Sequence, residues 1–153
     1  MIDERLAPNF WLSELLHSDT AVRLGVSNDP TPEALANLRG ITGPGIQKVR
    51  NLLGCPVSIN SGYRGPELNR RVGGSVTSQH CEGLAVDFTA ASFGTPLAVA
   101  RKLRDHLDEL RIDQLIWEGT WIHVSWTRGT PRRQVMTATF QGGKAKYTPG
   151  LPT

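Results

Sequence analysis

Apolar residues alternate with small or polar residues in several short stretches of the chain, which is the period of two expected of β-strands. Five stretches are predicted to be strands: residues 56–60, 83–88, 113–118, 121–126 and, at an edge, 134–140. The sequence Glu118-Gly119-Thr120 predicts a tight turn between the third and the fourth of them. We therefore expect a hairpin over residues 113–126.

Other segments repeat apolar residues every three or four positions, which predicts amphipathic helices. The predicted helices cover residues 10–25 (as one helix or two), 31–40, 46–53, 66–72 and 95–110. Thr31-Pro32 and Thr95-Pro96 are good helix starts, with threonine as the cap and proline at the first position. Thr42-Gly43-Pro44-Gly45 separates the second segment from the third, so two helices or one broken helix both fit the pattern.

The order of these elements predicts an α+β fold with a small, mostly antiparallel sheet. Helices would pack on one face of the sheet, and the other face would form a cleft. The helix-covered face is expected to bury Leu84, Val86, Phe88, Leu115, Trp117, Ile122 and Val124. The chain of 153 residues fits one domain, which we assign to residues 1–140. Residues 141–153 are polar and rich in glycine and proline, which predicts a loosely ordered tail.

The composition is that of an ordinary globular protein, with 39% hydrophobic and 20% charged residues. No apolar run approaches the length of a membrane span, so none is predicted. The net charge of +3 comes from scattered basic residues, mostly on predicted helix or tail surfaces. Because no recognised nucleic-acid-binding module accompanies these charges, we interpret them as a solvated surface and expect no nucleic-acid partner.

Three side chains are candidate metal ligands. Asp87 shares a strand face with the small residues Gly83 and Ala85, and His80 lies in the preceding loop, where Gly83 lets the backbone fold the imidazole over that face. His123 has the corresponding position in the strand 121–126. Two histidines and one carboxylate are typical of catalytic zinc sites, which keep a fourth position for water, although cobalt or nickel could use the same ligands.

Glu118, at the rim of the same hairpin, is the candidate general base, and Trp121 would form a wall of the cleft beside His123. Cys55 and Cys81 lack the spacing of a zinc knuckle or a redox motif. Free thiols are the expected state, and a disulfide between them stays open. Cys81 is a poor fourth ligand, because its side chain diverges from that of its neighbour His80 in an extended loop.

The pattern Ser-x-His-x-x-Gly-x-Ala-x-Asp at residues 78–87, followed by a Glu and by Trp121-Ile122-His123, resembles the M15 family of zinc peptidases. Their group also contains D-Ala-D-Ala carboxypeptidases, phage endolysins and the hedgehog signalling domain. The resemblance extends upstream to Ser61-Gly62-Tyr63-Arg64 and to Asn9-Phe10 with Ser13-Glu14-Leu15, so it covers roughly residues 9–126. Four ordered elements with matching residues make it specific.

The resemblance implies a role for each matching residue. Arg64 would pair with a substrate carboxylate or stabilise an oxyanion, Ser78 would add a substrate contact to its capping of the loop, and one Zn²⁺ would bind the three ligands. Relatives often carry the Glu three residues before the last ligand, whereas Glu118 lies five residues before His123. Asp113 is a weaker candidate than Glu118 for the general base, because the alternation places it on the core side of the hairpin.

The function that the resemblance implies is hydrolysis of peptide bonds in bacterial peptidoglycan, in stem peptides or cross-links, by a monomeric enzyme. An endolysin-type endopeptidase and a D,D-carboxypeptidase both fit, and a non-catalytic zinc-containing phage or wall-binding module is the alternative. The N-terminus carries acidic residues and no apolar leader, so no signal peptide is predicted. We expect synthesis in the cytoplasm and action on the wall after phage- or holin-type release, or as a virion component.

Overall fold

Local sequence signals set the starts and ends of several helices in the computed structural model, which describes residues 3–153. The hydroxyls of Thr31 and Thr95 accept hydrogen bonds from the backbone N–H groups three residues on, and each threonine is followed by proline. The α-helices are α1 Leu12–Leu16, α2 Asp19–Leu24, α3 Pro32–Asn37, α4 Gly43–Leu53, α5 Pro66–Arg71, α6 Pro96–Arg104 and α7 Leu107–Leu110.

The strands form two sheets. Their bounds are β1 Arg5–Ala7, β2 Phe10–Trp11, β3 Ser58–Ser61, β4 Ala85–Thr89, β5 Gln114–Trp117, β6 Ile122–Ser125, β7 Gln134–Gln141 and β8 Lys144–Pro149. Strands β1 and β2 pair with each other, and the other six form one mixed sheet in the order β3-β4-β6-β5-β7-β8. All neighbours in the larger sheet are antiparallel except β5 and β7, which are parallel.

Helices and the large sheet share one hydrophobic core. Strand residues that include Val86, Leu115 and Val124 are fully buried against Ile46 of α4 and Leu103 of α6. The opposite face of the sheet carries the candidate site. The predicted α+β fold, with helices on one face and a cleft on the other, is therefore confirmed. Among residues 3–153, no helix is both long and apolar enough to cross a membrane.

The interruption at residues 42–45 does not separate two helices. A π-helical turn, Leu38–Thr42, connects α3 directly to α4, so the chain stays helical through it. Pro44 is tolerated because it lies in the first turn of α4, where a backbone N–H is not needed within the helix. By contrast, the segment predicted as one helix over 95–110 ends at Arg104 and resumes at Leu107.

The C-terminal segment also differs from the expectation. Residues 144–149 were predicted to be part of a loosely ordered tail. They form strand β8 instead, and every residue of β8 pairs with a residue of β7. Gly142 and Gly143, with φ of 57° and 78°, make the turn between the two strands. Two successive residues with positive φ suit a two-residue hairpin loop. The Gly-Gly pair was therefore a signal in the sequence for a turn between two strands.

Gly62 has no room for a side chain, and we expect Gly62→Ala to lower the free energy of unfolding by about 1–3 kcal/mol. An added Cβ would lie 2.9 Å from the Leu15 Cα, and the Leu15 carbonyl oxygen would be closer still. That carbonyl already accepts a hydrogen bond from the Tyr63 N–H at 2.7 Å, so it cannot move freely. Urea denaturation would measure the change.

Gly40→Ala is the matched control, since no atom lies within 4 Å of its added Cβ. We expect it to be neutral or stabilising by up to about 1 kcal/mol, because alanine is the better helix former. Equal effects of the two substitutions would show that the contact with Leu15 does not govern the site.

Candidate metal centre

A short 3₁₀ turn, Gln79–Glu82, carries His80 into the sheet face. The Ser78 hydroxyl accepts a hydrogen bond from the His80 N–H at 3.2 Å, and Gly83 ends the turn with φ of 71°. The structure thus shows Ser78 as the cap of this turn, and its side chain also lines the cleft. Only 2% of the surface of His80 is exposed, so little more than its ring edge reaches the site.

The orientation of the His80 ring is determined by a backbone contact. Its Nδ1–H donates to the Gly62 carbonyl at 2.7 Å, since a carbonyl can only accept. Burial lowers the pKa of His80, and the neighbouring Asp87 only partly opposes this effect. The other ring nitrogen, Nε2, lies 3.2 Å from Asp87 Oδ1.

Asp87 and His123 face each other directly across the β4–β6 pair. The same Oδ1 atom of Asp87 lies 2.9 Å from His123 Nδ1, and the rings of His80 and His123 have centroids 5.1 Å apart. Burial raises the pKa of the Asp87 carboxyl, but the two imidazoles lower it more, so its net pKa lies well below the ordinary value. Asp87 is consequently a carboxylate between two imidazole nitrogens.

These three residues fit a zinc ion. Each offers one ligand atom, and the three atoms all lie within 4.8 Å of one another. Two histidine imidazoles and one carboxylate form a donor set that zinc favours. The hydrogen bond from His80 to Gly62 is the kind of outer contact that commonly orients a metal-binding histidine. The cluster can thus hold a divalent metal ion with little rearrangement.

Glu118 lies on the same sheet face as the cluster. Ile116 of β5 pairs with His123, and Glu118 follows two residues later, just after the end of β5, where its backbone N–H bonds to the Trp121 carbonyl. The Trp121 indole N–H donates to Glu118 Oε2 at 2.8 Å, a contact that the sequence did not reveal. Burial and then the nearby Asp87 charge raise the pKa of Glu118. The five-residue spacing to His123 is therefore compatible with a carboxylate beside the cluster.

Arg64 is half-buried and lines the same cleft. Its backbone N–H donates to the His80 carbonyl at 3.1 Å, which ties it to the turn that carries this histidine. The buried side-chain Nε has no hydrogen-bond partner among residues 3–153. A buried unpaired donor on a cation is costly, so its location in a cleft indicates that it is kept for a ligand.

The cleft that joins these groups has a volume of about 560 Å³. Its lining includes the segment 72–78 and residues of or next to β4, β5 and β6. The β7–β8 hairpin also lines it, through Met136, Phe140, Ala145 and Tyr147. The contribution of β8 to the cleft lining was not predicted from the sequence, because residues 141–153 were interpreted as a tail. The alternation of Ala145 and Tyr147 with Lys144 and Lys146 was the available signal.

Asp113 does not substitute for Glu118. It is 3% exposed and is not part of the cleft lining. Its carboxylate accepts hydrogen bonds from the Arg132 guanidinium and from the Gln79 side-chain amide, which also donates to the Trp126 carbonyl. This network braces the turn next to His80. Cys81 also lies outside the ligand cluster, and both cysteines are free thiols.

We expect Asp113→Ala to lower the free energy of unfolding by about 1–3 kcal/mol near neutral pH, because it leaves charged and buried donors unpaired. Burial raises the pKa of Asp113, but the hydrogen bonds from Arg132 and Gln79 lower it further, so the net shift is downward. The carboxylate therefore stabilises the fold above its unfolded pKa, and this contribution disappears as pH falls through its lower folded pKa.

The difference between wild type and Asp113→Ala should accordingly shrink on acidification. Urea denaturation from neutral pH down to about pH 2 would measure it. Asp105→Ala is the control, since Asp105 is a surface residue with a side chain that is 64% exposed and pairs with Arg104. Its effect should stay within about 0.5 kcal/mol at every pH. A pH-independent loss in Asp113→Ala would contradict the charge-based explanation.

Comparison with known proteins agrees with this geometry. A search of curated proteins finds no match for the chain. A family model described as Peptidase M15 matches residues 8–125, which is well over half of the chain and includes all three residues of the cluster, Glu118 and Arg64. The β7–β8 hairpin lies beyond the matched region. The chain therefore belongs to the peptidase M15 family.

Proposed function

We propose that this protein is a zinc-dependent peptidase that hydrolyses peptide bonds in bacterial peptidoglycan, in stem peptides or cross-links. The observation that carries the proposal is the opening of the His80–Asp87–His123 cluster onto the same cleft as Glu118 and Arg64. Peptidases of the M15 family are typically zinc-dependent. A zinc site that served structure alone would need neither the Glu118 carboxylate nor the Arg64 guanidinium in the same cleft.

His80, Asp87 and His123 are the proposed ligands. When bound, zinc supplies a Lewis acid that polarises the scissile carbonyl and makes water more acidic. The Glu118 carboxylate accepts a proton from the attacking water and later donates it to the leaving amine. Its raised pKa suits both transfers, because a base with a pKa nearer neutrality can also return the proton.

Trp121 positions this carboxylate. Its indole N–H holds Glu118 Oε2 at 2.8 Å, so the other carboxylate oxygen is left for the proton that is transferred. The hairpin turn adds a second restraint, since the Glu118 N–H donates to the Trp121 carbonyl at 3.1 Å. A base held in this way loses little entropy when the substrate binds.

Arg64 is the proposed anchor for negative charge. Its planar guanidinium can pair with a substrate carboxylate or stabilise the oxyanion that develops at the scissile carbonyl. Its buried Nε makes no hydrogen bond among the described residues, so a shift of the guanidinium towards substrate would break none at this atom. The net charge of +3 also favours an anionic polymer such as the bacterial wall as the substrate.

Digestion of purified peptidoglycan tests the proposal. Wild type should release defined peptides, a chelator should stop the release, and added zinc should restore it. His123→Ala should be inactive under all three conditions. Mass spectrometry of the products would identify the cleaved bond, and so distinguish an endopeptidase from a D,D-carboxypeptidase. Tight zinc binding without any cleavage would instead favour a non-catalytic wall-binding or phage structural module.

A further inference from the structure

We propose that the β7–β8 hairpin is a substrate-specificity element, in which Phe140 and Tyr147 contact the part of an extended peptide substrate that lies on the hairpin side of the scissile bond. This inference rests on the proposed function, because it concerns the substrate of the same cleft. It assigns a role to a segment, residues 134–149, that lies beyond the part of the chain matched by the family.

The register of the sheet places both aromatic side chains on the cleft face. Tyr147 pairs with Ala138 and Ala145 pairs with Phe140, so these residues share one face of the β7–β8 ladder. Met136 belongs to the same face and pairs with Ile116 of β5, which in turn pairs with His123. One continuous face of the sheet therefore leads from the metal cluster on β6 across β5 and β7 to β8.

Two large aromatic side chains on this face are exposed. Phe140 and Tyr147 are 52% and 49% exposed, and both line the cleft. The Phe140 ring lies 6.0 Å from the ring of Trp121, which ties the hairpin to the residue that holds Glu118. Aromatic side chains with few rotatable bonds bind a partner at low entropic cost, so this wall is suited to a ligand.

The shape of the cleft selects the kind of ligand. The segment 72–78 and the hairpin both line the cleft together with the cluster, so it continues beyond the three cluster residues. The volume of about 560 Å³ is that of a pocket for a ligand larger than two alanine residues. A peptide that occupies the whole cleft must extend past the scissile bond on the hairpin side. The aromatic wall should accordingly discriminate by substrate length.

Steady-state kinetics with a short and a long peptide test the inference. The two synthetic peptides carry the same scissile bond, found by digestion of peptidoglycan, and the long one extends it by two or more stem residues on each side. Phe140→Ala and Tyr147→Ala should each raise KM for the long peptide about tenfold and leave kcat within about twofold. Neither should change KM for the short peptide.

Lys146→Ala is the matched control, since Lys146 neighbours Tyr147 but pairs with Thr139 on the opposite face. It should behave as wild type with both peptides. Urea denaturation would verify that the variants fold, and Tyr147→Phe would show whether the ring alone is sufficient. Equal KM increases for both peptides, or none, would overturn the inference while leaving the peptidase activity in place.

Direct binding separates this inference from the proposed function. If wild type cleaves no peptide, the proposed function fails, and a pair of muropeptides of different length then serves as the probe in calorimetry. Wild type should bind the longer one more tightly, and Phe140→Ala and Tyr147→Ala should remove that difference. Retention of the length preference by both variants would overturn the role of the hairpin by itself.

Discussion

Glu118→Gln should reduce kcat by about 10²–10⁴-fold while the protein keeps its fold and its zinc. The amide has the size of the carboxylate, and its oxygen can still accept the Trp121 N–H, so the local geometry is preserved. It cannot accept a proton at neutral pH, because an amide is not a base. Peptidoglycan digestion, with zinc content measured on the same preparation, checks the result.

Trp121→Phe is the companion variant. It keeps a large aromatic side chain in the cleft and removes only the donor that holds Glu118 Oε2. We expect a smaller loss of kcat than in Glu118→Gln, because the base is present but less well positioned. Full activity of Glu118→Gln would reject Glu118 as the base, and Asp113 would not replace it, since that carboxylate is engaged by Arg132.

Asp87→Asn should abolish stabilisation by zinc. Asp87 supplies the negative charge of the three-residue cluster, and its Oδ1 lies within 3.2 Å of a nitrogen of each histidine. An amide is a weak zinc ligand, so the affinity should fall steeply. For wild type, zinc at about 100 times its Kd should add about 2.7 kcal/mol to the free energy of unfolding. The thermal midpoint of the variant should not respond to zinc.

Thermal unfolding with and without zinc measures this response, and activity need not be known. Asp19→Asn is the control, since Asp19 is an exposed carboxylate that also pairs with a histidine, His17, but at the surface. It should respond to zinc as wild type does. An undiminished response of Asp87→Asn would mean that zinc binds elsewhere on the chain.

Much of the site could be predicted before the fold was seen, because its residues lie on strands with a strict alternation. In β4 and β6, side chains of successive residues point to opposite faces of the sheet. Alternation alone therefore assigned Asp87 and His123 to one face, and Val86 and Val124 to the other. The tight turn at Gly119, with φ of 85°, explains why Glu118 and Trp121 could be placed at the rim. Each of these features is local to a few residues.

The contacts that organise the site depend on segments far apart in the chain. The Gly62 carbonyl orients His80, and the Gln79 side chain donates a hydrogen bond to Asp113, 34 residues away in the sequence. No local sequence pattern predicts either contact. The parallel pairing of β5 with β7 brings Phe140 and Tyr147 to the cleft, although the sequence suggested only an edge strand and a tail. Alternation tells which side chains share a face of one strand, but the neighbour of that strand depends on packing of the whole sheet. The sequence therefore determined which residues form the His80–Asp87–His123 cluster, whereas the contribution of the hairpin to the cleft depended on the assembly of all six strands.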